Sequence, residues 1–350
     1  MRRLLTILGT TLVALLLTAG PTLACGGLIG PNGAVNLLRT TTFAGYHDGV
    51  EHYVTSFEFA GGGGAFGSLI PLPGVPSDVV KGGDWTLQRL IRETTPPAPQ
   101  PLFLFGSAAA SQDSAQVLME RKIDALDITV LKGGANQVGT WAKGHGFRLP
   151  PDAPEVLDFY AKRSPIFLAA AFDPTRAEGR GQQIGDGTPV HITIPTPNPW
   201  VPLRILALGK AGTERVEADV FLLTDRQPTL LPAGTTPGLA LAHDAPANAL
   251  LLSDLRSDRG MEWVPDAAWL SKIVIDAKPS ELAFDLAIDA SGQGTPSRVA
   301  AGLELASVPV APARSVDLAR LMIGFGVVGL AALSIVWLLT RRPAGPSLSR

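Results

Sequence analysis

His47-Asp48-Gly49-Val50-Glu51-His52-Tyr53-Val54-Thr55-Ser56-Phe57-Glu58-Phe59 reads as the turn and second strand of a β-hairpin covering residues 35–59. Asp48-Gly49 supplies the turn, because both residue types tolerate positive φ. Beyond it, Tyr53, Thr55, Phe57 and Phe59 alternate with His52, Val54, Ser56 and Glu58, the period of two that marks a half-buried strand. Working outward, Gly61 to Gly64 interrupts the strand, and Ser68-Leu69-Ile70-Pro71-Leu72-Pro73 resumes extended chain whose prolines point to a sheet edge or an irregular crossing.

Further along, Asp84 is positioned to cap a short helix carrying Leu87, Leu90 and Ile91 on one face. Residues 94–113 form a Pro-rich and then small, polar connection. Short strands are predicted at 128–131, 166–172, 190–194, 203–208 and 216–223, with helices near 137–143 and from Pro151-Asp152 to just before Pro165. The clearest late element is 281–289, where Leu282, Phe284, Leu286 and Ile288 face inward and Glu281, Asp285 and Asp289 outward. With 38 Gly, 30 Pro and 6% aromatic residues, the composition suits a turn-rich, strand-rich body better than a helical bundle. The expected fold class is α+β: a strand-rich extracytoplasmic body with a few short helices and one C-terminal transmembrane helix.

Both ends are hydrophobic. Met1-Arg2-Arg3 precedes an apolar run over 4–17, then Gly20-Pro21 and a small residue at Ala24, the layout of a secretory signal peptide. Fourteen helical residues reach only ~21 Å, short of the ~30 Å hydrocarbon core. Residues 321–339 carry no charge and lie between Arg320 and Arg341-Arg342, which gives ~28 Å of helix and a membrane span. The tail holds only basic charge, so the positive-inside rule places it in the cytoplasm. The resulting division is a signal peptide (1–24), a main extracytoplasmic domain (25–225), a membrane-proximal strand-rich region (226–306), a Pro-containing stalk (307–320), the span (321–339) and a basic tail (340–350). The protein is thereby expected in the cell membrane, single-pass, with its body outside and its C-terminus inside.

Between Cys25 and Ala319 there are 23 basic and 31 acidic residues, a net of −8 that disfavours nucleic acid as a partner. A single cysteine excludes an internal disulfide, which a body of this size can do without.

Several residues resemble a family of exported bacterial proteins of unknown function. They are Ala24-Cys25-Gly26-Gly27-Leu28, the hairpin with Asp48-Gly49 and Glu51-His52, and Leu69-Ile70-Pro71-Leu72-Pro73. Trp141, Gly146-Phe147 and Pro150, then Leu157-Asp158-Phe159-Tyr160, Phe167-Leu168-Ala169-Ala170, Ile194-Pro195 and Pro202-Leu203-Arg204-Ile205 extend the match in order. The resemblance implies the same topology, with no assigned activity and no assigned site residues.

Cys25, at the expected mature N-terminus, is the residue open to processing or acylation. Thr22-Leu23-Ala24 supplies a small neighbour but misplaces the leucine of a lipoprotein signal, so a free thiol or packed start is favoured and acylation stays open. Gly62, Gly64 and Gly67 satisfy G-x-G-x-x-G, but the Pro-containing segment that follows cannot start the helix a dinucleotide needs. His47 and His52, flanked by Asp48 and Glu51, are read as polar hairpin residues rather than metal ligands. His145, His191 and His243 have no sequence neighbours arranged for a triad. Asp124, Asp127, Asp254 and Asp258 carry no specific acid–base signal. Trp85, Trp141, Trp200, Trp263 and Trp269 are read as core or rim residues. The catalytic set is unknown, and no cofactor or metal is assigned. The expected partners are the membrane and an envelope protein or ligand of unknown identity. The leading expectation is a non-enzymatic binding or scaffolding protein of the envelope; the alternative is an extracytoplasmic hydrolase with dispersed catalytic residues.

Overall fold

The computed structural model describes residues 27–31, 33–34, 40–58, 65–95, 117–182 and 187–304. The expectations for the signal peptide, Cys25, the stalk, the span and the tail lie outside the described residues. Among the described residues no helix is long and apolar enough to cross a membrane.

In chain order the strands are β1 (Gly27–Gly30), β2 (Gly33–Ala34), β3 (Thr40–His47), β4 (Val50–Glu58), β5 (Phe66–Leu72), β6 (Asp78–Lys81), β7 (Val117–Ile123) and β8 (Leu126–Lys132). They continue as β9 (Ile166–Phe172), β10 (Gly187–Pro195), β11 (Trp200–Val201), β12 (Val216–Thr224), β13 (Thr229–Leu231), β14 (Leu239–Pro246), β15 (Trp269–Ala277) and β16 (Leu286–Asp289). The α-helices are α1 (Thr86–Thr94), α2 (Ala135–Gly144), α3 (Ala153–Ala161), α4 (Pro174–Glu178) and α5 (Ala249–Ser257). The fold is therefore α+β and mostly sheet.

A six-stranded sheet runs β2-β1-β5-β9-β8-β7, a seven-stranded sheet β14-β15-β12-β3-β4-β10-β6, and a small third sheet β11-β16-β13. Among the described residues only β3 and β12 pair in parallel within the large sheets; the hairpins between sequence neighbours are antiparallel. Strands before and after residue 225 share sheets: β15 lies between β12 and β14, and β16 pairs with β11.

The hairpin forms as its sequence indicates. Asp48 and Gly49 both have positive φ, 48° and 79°, as a type I′ turn requires. Alternate residues of β3 and β4 then enter two different cores. Ala44 and Tyr53 pack into the larger one, with side chains from the six-stranded sheet, α2 and α3. Phe43 and Val54 pack into the second, with Leu87 and Leu90 of α1 and Leu251, Leu252 and Leu255 of α5. In the six-stranded sheet β9 is buried at every position, so both of its faces are covered as well.

Four sequence expectations change, three of them about strands. β5 is interior, between β1 and β9, not an edge strand. Among the described residues its pairing with β1 runs from Gly67 to Leu69, and Pro71 sits opposite Phe167 of β9. The strand expected at 203–208 is a short 3₁₀ turn, Arg204–Ala207. The strand expected at 281–289 is confined to Leu286–Asp289, and Asp285 is fully buried rather than facing water.

One residue explains the last two changes. The Asp285 carboxylate accepts hydrogen bonds from the amides of Leu203 (2.7 Å) and Arg204 (3.0 Å), which caps the 3₁₀ turn. It also accepts from the Tyr160 hydroxyl at 2.9 Å and pairs with the buried Arg163 guanidinium. A carboxylate can be buried at this depth when its charge is matched and its lone pairs are filled. Similarly, Asp84 does not cap α1. The buried carboxylate of Asp258 does so from 172 residues away, accepting from Thr86 N at 2.8 Å and Thr86 Oγ1 at 2.6 Å.

Asp285→Ala is expected to leave Arg163 buried and unpaired and to cost about 3–5 kcal/mol. Tyr160→Phe, which removes the hydroxyl's bond to the same carboxylate and leaves the buried amide of Ile205 without the acceptor it meets at 2.9 Å, is expected to cost about 2 kcal/mol. Urea unfolding followed by tryptophan fluorescence checks both; equal effects would show that the arginine does not depend on Asp285.

Candidate functional site

β4 places two titratable side chains back to back. Glu51 enters the core between the two large sheets, whereas His52, one residue on, faces the helical side. The alternation of a strand makes this unavoidable once both faces of the sheet are covered.

Glu51 is completely buried, with one carboxyl oxygen 3.3 Å from the amide of Trp200 and the other, Oε1, without a hydrogen-bond partner. Burial raises its pKa to about 8, against a smaller opposing contribution from the Trp200 amide. The group is thus a neutral acid at pH 7. Tyr46 lies beside it, donating its hydroxyl proton to the Thr196 carbonyl at 2.9 Å, and its own pKa is raised by burial, Glu51 and Asp225.

His52 does not join His47. The two share a face of the hairpin, but His47 Nδ1 lies 2.7 Å from Asp225 and its Nε2 3.6 Å from Asp48. His52 Nδ1 instead meets His191 Nε2 of β10 at 3.0 Å. Trp263 lies flat on the His52 ring, with centroids 3.9 Å apart and an interplanar angle of 6°. Gly45 is required beneath this stack, since a Cβ there would run into the indole. Burial lowers the pKa of His52 to about 3, with His191 and His47 adding to the shift. Burial likewise lowers His191 to about 4, against the pull of Glu262 and Asp78. Facing nitrogens 3.0 Å apart with ring centroids at 5.2 Å mean that the imidazoles meet end-on, as in an N–H···N hydrogen bond between neutral rings. Two ligands converging on a cation would be angled toward a common point. Among the described residues no group of three or more His, Cys, Asp or Glu could hold a metal.

The other expected residues are dispersed. His145 Nδ1 is 2.9 Å from the carbonyl of Trp141, and His243 lies in β14 opposite Lys272. Asp124 pairs with Lys81, Asp127 with Arg176 and Asp254 with Arg89, so these acids form separate ties rather than an acid–base pair. Trp141 and Trp200 are core, and Trp269 donates to Asp244 at 2.7 Å. Gly67 lies within β5, where a Cβ would press on Phe147, and so belongs to no phosphate loop.

A cleft of about 200 Å³ lies between α3 and the 302–304 turn, lined by Glu155, Phe159, Lys162, Arg163, Arg204 and Glu304 among others. The Arg204 guanidinium sits 4.3 Å over the Phe159 ring and pairs with Glu155, while Arg163 lies 4.2 Å from the same ring and pairs with Asp285. The sequence reading named Glu51 only as a polar hairpin residue and Arg204 only as part of a family anchor, and it did not point to Arg163 or the cleft. The run Glu51-His52 was the only available signal, two ionisable groups adjacent on a strand with apolar neighbours.

Two stacked sheets with helices packed on them, strand ends tied by buried ion pairs and a shallow cation-and-aromatic cleft define an α+β protein with no assigned chemistry. The chain belongs to the bacterial family described as "Uncharacterized protein conserved in bacteria (DUF2330)", whose family model matches residues 21–227. No curated protein matches the sequence. Among solved structures, a mutated baculovirus P35 after caspase cleavage is 8% identical, covering 71% of this chain and 98% of that chain at a TM-score of 0.38. Baculovirus P35 itself is 8% identical, covering 75% of this chain and 92% of that chain at a TM-score of 0.34. These two likenesses carry no statement about activity.

Glu51 yields a pH prediction. Its folded pKa lies above its unfolded value, so its contribution is fully present below pH ~4.5 and is lost as pH rises through about 8. Glu51→Gln removes that titration and is expected to stabilise the fold by a few kcal/mol at pH 8.5, with the gain shrinking toward zero at pH 4.5. Thermal unfolding of both proteins at the two pH values measures this. A gain that does not change with pH would mean that Glu51 is not protonated in the fold.

Proposed function

We propose that the protein is a single-pass, extracytoplasmic component of the bacterial cell envelope that works by binding or scaffolding rather than by turnover. The two apolar ends, 4–17 and 321–339, support a body exported and then held at the membrane. The partner is an envelope protein or ligand, and nucleic acid is disfavoured by the net negative body.

The observation that carries the binding reading is the use of the charged groups gathered by the fold. Arg163–Asp285, Arg176–Asp127, Arg89–Asp254 and Lys81–Asp124 each join two separate elements. Such ties make a stiff platform. On it, Phe159 and Arg204 line a cleft with an aromatic ring and a guanidinium, the residue types that favour protein contacts.

Two measurements test the reading. A reporter active only outside the cytoplasm is expected to be active when fused after Ala313 and silent when fused after Arg350; the reverse would overturn the topology. A photo-crosslinking residue at Lys162 in intact cells is expected to give one discrete higher-mass adduct, lost on Arg204→Ala. Absence of an adduct, together with envelope-material hydrolysis abolished by Arg204→Ala, would select the hydrolase instead.

A further inference from the structure

The segment 258–268 connects α5 to β15 and touches three other parts of the fold. At its start, Asp258 holds the N-terminus of α1, accepting from the amides of Asp84, Trp85 and Thr86 and from the Thr86 hydroxyl. In its middle, Trp263 stacks on His52, and Gly260 lies over His191, where an added Cβ would stand 2.9 Å from Nδ1. Met261, Val264 and Ala268 complete the second core beside Phe43 and Val54. The segment is a clasp across the helical face of the seven-stranded sheet, and the His52–His191 pair lies directly beneath it.

We propose that this clasp is released by acid: protonation of the His52–His191 pair opens residues 258–268, uncaps α1 and exposes the sheet face beneath.

The proton balance explains why release is a two-proton event. In the neutral pair one ring donates N–H and the other accepts. A first proton, taken at an outward-facing nitrogen, leaves the N–H···N bond in place on a cationic pair. A second proton puts hydrogens on both facing nitrogens, so the bond is lost and two cations stand 3.0 Å apart under the indole. The surrounding charges are mixed. His47 on β3 opposes protonation of His52, whereas Glu262 on the clasp and Asp78 on β6 favour protonation of His191. Arg259 and Asp84, 3.8 Å apart, sit at the clasp rim. Both histidine pKa values are depressed on folding, so the clasp is fully held above pH ~6.5 and is lost as pH falls toward about 4 and 3.

The opposite face of the same strand responds in the other direction. Glu51 is neutral in acid, so the core between the two sheets keeps its stability there. Acid therefore loosens the helical side of β4 while leaving the sheet–sheet side intact, which makes the opening local.

Hydrogen exchange of the full chain, read by mass spectrometry at pH 7 and pH 3 and corrected for intrinsic rates, tests this. Peptides covering 258–268 and 84–94 are expected to lose protection at least tenfold at pH 3, while peptides of β5 and β9 keep theirs. In His191→Gln, whose amide can still bond His52 without titrating, only His52 is left to take up a proton, and the loss is expected to shrink at least threefold relative to the unaltered protein. His52→Gln serves the same purpose should His191→Gln fail to fold. Clasp peptides equally protected at both pH values would overturn the proposal. So would simultaneous loss across all peptides, or an unchanged loss in the folded glutamine variant.

Discussion

The central strands of the seven-stranded sheet are covered on both faces, and this dictates how they must be composed. A strand with one wet face can place charge there at no cost. β3, β4 and β12 have no such face over most of their length, so ionisable residues such as Glu51 and His52 must find partners or lose their charge. Glu51 and His52 take the second course, one as a neutral acid and the other as a neutral base. The pH range in which both are uncharged is the range in which both faces of the sheet are best packed.

The same pressure acts on the ion pairs. Asp285 and Arg163 are almost wholly removed from water, and burying two charges is favourable only where hydrogen bonds complete the pair. Asp285 meets that condition with two amides and a tyrosine hydroxyl, and in doing so ties α3, the 3₁₀ turn and the 285–301 stretch together. Arg163 additionally lies against the rings of Phe159, Tyr160 and Trp200. Asp258 does the equivalent work for α1 and the clasp. The residues after 225 thus complete the sheets and caps of the residues before it.

Local patterns were readable where one physical cause dominates. The β3–β4 hairpin follows from Asp48-Gly49 and the alternation after it, and β9 follows from an unbroken apolar run between Pro165 and Asp173. α3 follows from its helical spacing of Val156, Leu157 and Tyr160. Readings failed where a distant carboxylate intervened. Leu203 to Leu208 has strand-like composition but is turned by Asp285, and Asp285 itself alternates as a solvent-facing residue would. Likewise Asp84 looks like a cap because the residue that supplies it is 172 positions away.

The candidate site divides along the same line. From the sequence alone, the chain was readable as a strand-rich α+β body containing this hairpin, because turn chemistry and side-chain alternation act over a few residues. Family kinship was also legible, through ordered anchors such as Leu157-Asp158-Phe159-Tyr160. Only the tertiary structure decided that His52 faces His191 rather than His47, that Glu51 is sealed between two sheets and that Trp263 closes over the pair. The reason is strand register: β10 lies beside β4 through pairing set by the whole sheet, so residues 139 apart in sequence become diagonal neighbours on one face.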